Sequence, residues 1–434
     1  MSSGGSIEGE VGIGGVREGG VSGDQTVGSR RAVAYVDPDA IAHNCGLLLD
    51  ALAGPGLCAV VKADGYGHGA VLGAKAALGA GASWLAVATL AEAEQLREAG
   101  IEAPVLVMGP VTERSEIEQA IDLKADIVAW RERTIALAAE AAARARGTAR
   151  VHVKLDTGMG RLGTREVFEA DLVVAAATNA PGVRLVGAMT HFATADILDD
   201  DGFYEAQLAK FTRWAAAVRA EHPDVLVHAA NSAAVLRRHH VSSLEKLDPR
   251  GRGQPQGGLG DPGDVGFDMA RCGIAIYGMD PFGEDPDAHG LRPALSLSSY
   301  IADVKLCRPG ESTGYGRRFV ADHDTHIGML PIGYGDGFRR ALSGNAEVLV
   351  AGARLPLVGT VSMDNVAVDL GPDPAALELC GAEAVLIGSS GGEKITAEEL
   401  AKRIGTINYE ITCGLSSRVP RVARAAPGVS PAVR

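Results

Sequence analysis

The chain has 434 residues, more than one average domain needs, so two domains are the starting expectation. A formal net charge of −13 argues against a nucleic-acid footprint, and 46% hydrophobic with 22% charged residues suits a water-soluble protein with an ample core. Six cysteines (Cys45, Cys58, Cys272, Cys307, Cys380, Cys413) lie far apart with no CxxC pair, which supports neither a metal site nor a disulfide framework and fits a reducing, cytoplasmic compartment.

Residues 1–29, rich in Gly, Ser and Glu, hold no apolar run fit to be a signal-peptide core and read as a disordered tail. No stretch approaches the ~20 apolar residues of a membrane span, so no membrane partner is expected. Residues 31–37 alternate weakly and read as a strand; Asp37 and Pro38 then open a helix to about Leu52. From there a pattern repeats. Apolar strand candidates begin near Leu57, Trp84, Val105, Ile127, Val151, Leu185, Leu226 and Met269, with helical stretches such as 90–99, 134–146 and 202–221 between them. Strands alternating with helices in this number predict a (β/α)8 barrel, an α/β fold of TIM type, over residues 30–290. A doubly wound fold also alternates, but no GxGxxG opens a helix after the first strand.

Residues 248–266, a run of Arg, Gly, Pro and Gln, read as a flexible surface insertion before the eighth strand. After Pro281 the texture changes: short β-rich segments alternate with Gly turns and long helices vanish. A second, mostly β domain is expected over 291–423, with one helix near 397–405, a final strand containing 418–421, and a tail at 424–434.

Chemistry concentrates at the strand ends. Lys62 closes the apolar run 57–61 and opens the glycine-rich turn that holds Tyr66 and His68. Desolvation lowers the pKa of a buried ammonium and frees the amine as a nucleophile, which Schiff-base chemistry with an aldehyde requires. A plainer reading, a lysine whose stem leaves the strand and reaches solvent, fits Lys62 taken alone. Lys154, His191, Asn231 and Ser232 also fall at or just after predicted strand ends, the face on which such barrels build active sites.

AVVKADGYGHGA (59–70) resembles the cofactor-lysine motif of the pyridoxal-phosphate-dependent alanine racemases. The resemblance continues, in family order, through KLDTGMGRLG (154–163), THF (190–192), HAANSA (228–233) and RCGIAIYG (271–278). It runs on in GYG (314–316), PIGYGDG (331–337), SMD (362–364) and INYEI (407–411). One such segment would be weak evidence; the ordered set is specific. The resemblance implies interconversion of L- and D-alanine by two bases, supplying D-alanine for peptidoglycan. Rival readings are a racemase of serine or lysine on the same fold, a decarboxylase of the same two-domain type, or a cofactor-binding protein without catalysis.

Carried onto this chain, the resemblance makes Lys62 the Schiff-base lysine of pyridoxal 5′-phosphate. It gives the phosphate to Tyr66, Ser232, Gly273, Ile274 and Tyr409, with Asn231 beside them. Arg271 faces the pyridine nitrogen, where a donor-only, permanently charged group disfavours a second positive charge. The family's second base maps to Tyr315, a phenol that needs help because its ordinary pKa is ~10, and His191 and Arg271 are the residues linked to it. Arg161 is implied to contact the cofactor hydroxyl and the substrate carboxylate, and Lys154 to be carbamylated beside it. Tyr315, Tyr334, Met363 and Asp364 correspond to residues that the other subunit of a head-to-tail homodimer supplies. Ser362 stands where many members have cysteine. The first strand, near 32–36, is implied to join the second domain.

Overall fold

The computed structural model of the protein describes residues 31–237 and 267–424. The expected tail at 1–29, the insertion at 248–266 and the tail at 424–434 beyond its first residue lie outside these. After β1 (Ala32–Val36), eight parallel strands close into a barrel: β2 (Gly56–Val60), β3 (Trp84–Val87), β4 (Val105–Val107), β5 (Ala125–Ala129), β6 (Ala149–Lys154), β7 (Val183–Met189), β8 (Leu226–His228) and β9 (Met269–Cys272). Strands covered on both faces carry continuous apolar runs rather than alternation, and β4 and β5 are buried at every position.

The intervening helices form where caps and apolar spacing coincide. In Pro38–Leu52 the Asp37 carboxylate accepts from Asp39 N (2.9 Å) and Ala40 N (3.3 Å), Pro38 suits the first turn, and Ile41, Cys45, Leu48 and Leu52 face the barrel. Leu48→Ala, emptying a fully buried position, should cost about 2–5 kcal/mol. Leu90–Glu98 opens on a capping box in which Thr89 and Glu92 satisfy each other's end groups. Among the described residues no helix is long and apolar enough to cross a membrane.

The second region is a ten-stranded sheet, and β1 belongs to it as expected. β1 pairs antiparallel with β10 (Leu295–Tyr300), Ala34 opposite Leu297 and Val36 opposite Leu295, and parallel with the last strand, Arg421–Ala423. The chain thus starts in the sheet, builds the barrel and returns. Two details differ from the sequence reading. The final strand begins at Arg421 rather than 418, because Pro420 has no N–H for a ladder and the Arg421 guanidinium holds the preceding turn through Ser416 O (2.7 Å) and Val419 O (2.6 Å). INYEI also leads into a short helix, Asn408–Cys413, docked through Asn408 Nδ2 on Asp280 O and Glu398 Oε1, both 2.8 Å.

Candidate active site

At the C-terminal mouth of the barrel lies a cavity of about 490 Å³. Lys62, Tyr66, Lys154, Arg161, His191, Asn231, Ser232, Arg271, Gly273, Ile274 and Tyr409 all line it, so the barrel-side residues singled out from the sequence come together from five strands and the sheet domain. A second cavity of about 530 Å³, where barrel meets sheet, contains none of those residues. Its lining holds no amine nucleophile beyond Lys394, which is paired with Asp285 (3.0 Å) and Asp287 (2.9 Å). The chemistry therefore belongs to the smaller cavity.

One group of lining residues is knitted together by short contacts. Asn231 Oδ1 accepts from Ala234 N (2.9 Å), capping the helical turn that starts at residue 232. Ser232 Oγ accepts from Gly273 N (3.1 Å) and Ala275 N (3.4 Å), tying that turn to the loop after β9. Gly273 is required by close approach: a Cβ there would meet the Tyr66 hydroxyl at 2.2 Å. The Tyr66 and Tyr409 rings lie 5.9 Å apart, and burial raises the pKa of both phenols, so both remain protonated donors.

A second group of lining residues is cationic. Burial first, then Arg161, lowers the Lys62 ammonium, with Cys413 and Glu92 pulling the other way; its Nζ sits 6.0 Å from the Tyr66 ring centroid. Burial, then Arg271 and Arg161, brings Lys154 down to about 8 against the pull of Asp156. Two lysines that release protons more readily than usual, in one cleft, make a nucleophilic site.

Arg271 is buried under the floor. Its Nη1 donates to His228 Nδ1 (2.6 Å), and Nη2 donates to Thr190 O (2.6 Å) and Ala229 O (3.0 Å), with His191 Nδ1 at 3.4 Å. An arginine can only donate, so the tautomers below it follow. His228 must carry its proton on Nε2 and gives it to His152 Nδ1 (2.8 Å); His152 Nε2 in turn donates to Asp126 Oδ2 (3.0 Å). Arg150 Nε closes the chain on Asp126 Oδ1 at 2.6 Å. Burial and the Arg271 charge hold His228 and His191 well below the usual imidazole range, so both are neutral. Burial alone would raise Asp126, but hydrogen bonds and charge from His152 and Arg150 outweigh it and hold the carboxyl low.

Tyr315, Tyr334, Met363 and Asp364 do not line the cavity of this chain. They lie together on the sheet domain, with Tyr315 75%, Met363 52% and Tyr334 42% exposed. Their backbones are nonetheless fixed. Thr360 Oγ1 donates to Tyr315 O (2.7 Å), Tyr334 N donates to Ser362 O (3.0 Å), and Ser362 Oγ closes its own turn on Asn365. Asp364 accepts from Arg418 Nη2 at 2.6 Å. The expected link from His191 and Arg271 to Tyr315 is therefore not made within one chain.

The sequence reading assigned nothing to Asp126, His152, His228 or Glu92. A charged or imidazole side chain inside an otherwise apolar barrel strand was the available signal for the first three. For Glu92 only the Thr-x-x-Glu cap was legible.

Residues 36–246 match the family model for the alanine racemase N-terminal domain, and 294–423 that for the C-terminal domain. An alanine racemase of Thermobifida fusca is 40% identical over 395 residues, 90% of this chain and 97% of that one. The crystal structure of an alanine racemase from a D-cycloserine-producing Streptomyces lavendulae superposes with a TM-score of 0.80 at 35% identity, covering 92% of this chain and 98% of the other. A histidine racemase from Leuconostoc mesenteroides has the same fold (TM-score 0.76) at 25% identity, with 91% of this chain and 98% of that one covered.

Proposed function

The chain belongs to the alanine racemase family, and on that premise we propose how its residues divide the work. It interconverts L- and D-alanine with pyridoxal 5′-phosphate as cofactor. The barrel mouth fits that group. A glycine packed against Tyr66 and two protonated phenols could hold a phosphate, a proton-releasing lysine lies over the Tyr66 ring, and a buried guanidinium borders the same cavity. When bound, the cofactor supplies a sink for the electron pair left as the Cα–H bond of the amino acid breaks.

Lys62 is the attachment point and the base for the D-alanine face of Cα. Tyr66, Ser232, Gly273, Ile274 and Tyr409, with Asn231 capping the turn, hold the phosphate. Arg271 directs Nε, which meets no protein acceptor among the described residues, toward the ring nitrogen. Arg161 takes the substrate carboxylate and is held by a carbamate on Lys154. Tyr315 of the partner subunit serves the L-alanine face, and Tyr334, Met363 and Asp364 of the partner subunit narrow the entrance around the small substrate. The working unit is a homodimer with composite sites. It supplies D-alanine for peptidoglycan in the cytoplasm.

Arg271 carries this reading. Its Nη1 donates into two imidazoles in series, His228 and His152, that end on the Asp126 carboxylate, and among the described residues no acid lines the cavity beside it. A carboxylate at that position would favour a protonated, more strongly withdrawing ring. An arginine keeps the ring a weaker sink and favours prompt return of the proton to Cα.

The test is polarimetry on purified protein with L-alanine, L-serine or L-lysine, with and without cofactor. Optical rotation should vanish for alanine, and only when cofactor is present. Comparable loss for serine or lysine, or carbon dioxide release without racemisation, would overturn the assignment. Borohydride treatment of the loaded protein should fix the cofactor on Lys62 by peptide mass mapping.

A further inference from the structure

The segment after Lys62 turns in the sense L-residues disfavour. Ala63, Asp64, Gly65 and Tyr66 have φ of 52, 52, 60 and 54° in succession. Three of the four carry a Cβ that crowds the following carbonyl in this conformation, so the run persists only if its surroundings hold it. The far end is held from the sheet domain, where Arg421 Nε donates to Gly67 O (2.9 Å), and in the middle Asp64 Oδ1 accepts from Ala70 N (3.0 Å).

The near end is held by one side chain. Glu92 Oε1 accepts from Ala63 N at 2.7 Å, while its Oε2 accepts from Ala88 N (2.7 Å) and Thr89 N (3.1 Å). The Ala63 N–H belongs to the peptide that joins Ala63 to Lys62. Fixing that peptide plane fixes the direction in which the lysine side chain leaves the backbone. The carboxylate also sits close enough to the amine to offset part of the loss from burial and Arg161.

We propose that Glu92 is a positioning residue for Lys62: its carboxylate pins the left-handed turn that aims the amine into the barrel mouth, besides capping the helix Leu90–Glu98. This rests on Lys62 being the attachment point, which borohydride trapping of the unaltered protein tests separately. The competing account is that Glu92 only completes a helix cap. The two accounts part at Thr89, whose hydroxyl accepts from Glu92 N (3.2 Å), because losing it weakens the cap without touching Ala63.

The experiment uses the full chain as Glu92→Gln, Thr89→Ala, Ala63→Gly and the Glu92→Gln/Ala63→Gly double variant. Each is measured for melting temperature, for cofactor affinity by absorbance titration, and for the fraction trapped on Lys62 at sub-saturating cofactor. Glutamine keeps the size of Glu92 but turns an NH2 toward backbone donors, so cofactor affinity should fall about tenfold. Thr89→Ala should lower the melting temperature as much while leaving the affinity unchanged. Glycine adopts positive φ without penalty, so the double variant should return to within about threefold of the unaltered protein. The proposal fails if Glu92→Gln binds cofactor normally, if Thr89→Ala matches its loss, or if glycine at 63 restores nothing.

Discussion

The two halves of the site are finished to different degrees. Below the barrel mouth the polar groups are paired inside one chain: Arg271 Nη1 and Nη2 have acceptors, His228 and His152 have their tautomers, and Ser232 ties two loops together. On the sheet domain Tyr315, Tyr334 and Met363 stand on rigid turns with their side chains in the open. Large apolar side chains gathered on such a ledge are where the proposed second copy would sit. The difference is one of solvation. Buried donors and acceptors must be satisfied as the chain folds, whereas a group that waits for a partner can be left to water until the partner arrives.

The sharpest test of that contrast removes one oxygen from the ledge. Tyr315→Phe should lower L-to-D turnover by roughly 10²–10⁴-fold, the worth of a positioned general base. Cofactor binding, which belongs to the barrel half, should not change. A Tyr315→Phe protein that loses its cofactor would erase the distinction between the halves. Mixing asks the same question with a gain instead of a loss. Lys62→Ala and Tyr315→Phe are each expected to be inactive, but a dimer of one of each has one site with both residues intact. Random exchange should then restore about a quarter of the unaltered activity, as head-to-tail sharing requires. No recovery after refolding the two together would place Tyr315 and Lys62 of one chain in the same site.

On the barrel side the largest effect should come from far below the cavity. Asp126→Asn strips the charge that faces His152 and pairs with Arg150; the carboxylate is buried but the arginine partly exposed, so the loss should be about 1.5–3 kcal/mol, the worth of hydrogen bonds to a charged group. Because the folded-state pKa of Asp126 is depressed, its contribution is fully present above the ordinary carboxylate pKa and disappears as pH falls through the lower folded value. Denaturation followed between pH 7 and pH 3 should therefore show the variant and the unaltered protein converging in acid. Association of the chains, which the proposed dimer assigns to the ledge, should be unaffected.

Much of this was readable in the chain. Apolar runs alternating with helical periodicity mark a barrel because parallel strands are covered on both faces, and Lys62, His191 and Ser232 announce its active end by sitting where those runs stop. What could not be read is what depends on the third dimension. Nothing in the sequence orders Asp126, His152, His228 and Arg271 into one directed chain, since they stand on β5, β6, β8 and β9 and meet only when the barrel closes. Glu92 is legible as a cap, but its second oxygen reaches back 29 residues to Ala63. The last strand starts at Arg421 because Pro420 has no N–H for a ladder and residues 416–419 turn under the Arg421 guanidinium, a contact that forms only in the folded chain.

Lys154 offers the smallest effect and the closest look at the barrel half by itself. It is only 4% exposed, and its amine is brought down to about 8 by burial, then by Arg271 and Arg161. In the unfolded chain a lysine holds its proton to about 10.4. The penalty of a buried ammonium is therefore complete below pH 8 and is relieved between about 8 and 10.4, where the folded form has already released the proton. Unmodified protein should become more stable as pH climbs through that window. The fraction of Lys154 that has released its proton can take up carbon dioxide, the nitrogen giving a further proton to solvent as the N–C bond forms, and the carbamate is an anion that Arg271 and Arg161 favour. At pH 7.5 the melting temperature should then rise by about 2 °C in bicarbonate over carbon-dioxide-free buffer, the shift expected from ~1 kcal/mol in a chain of this size. Lys154→Ala should abolish the response, and Tyr315→Phe should keep it, because the modification needs nothing from the partner. If both buffers give the same rise with pH, the amine stays bare, and Arg161 must then be held in place by the substrate carboxylate alone.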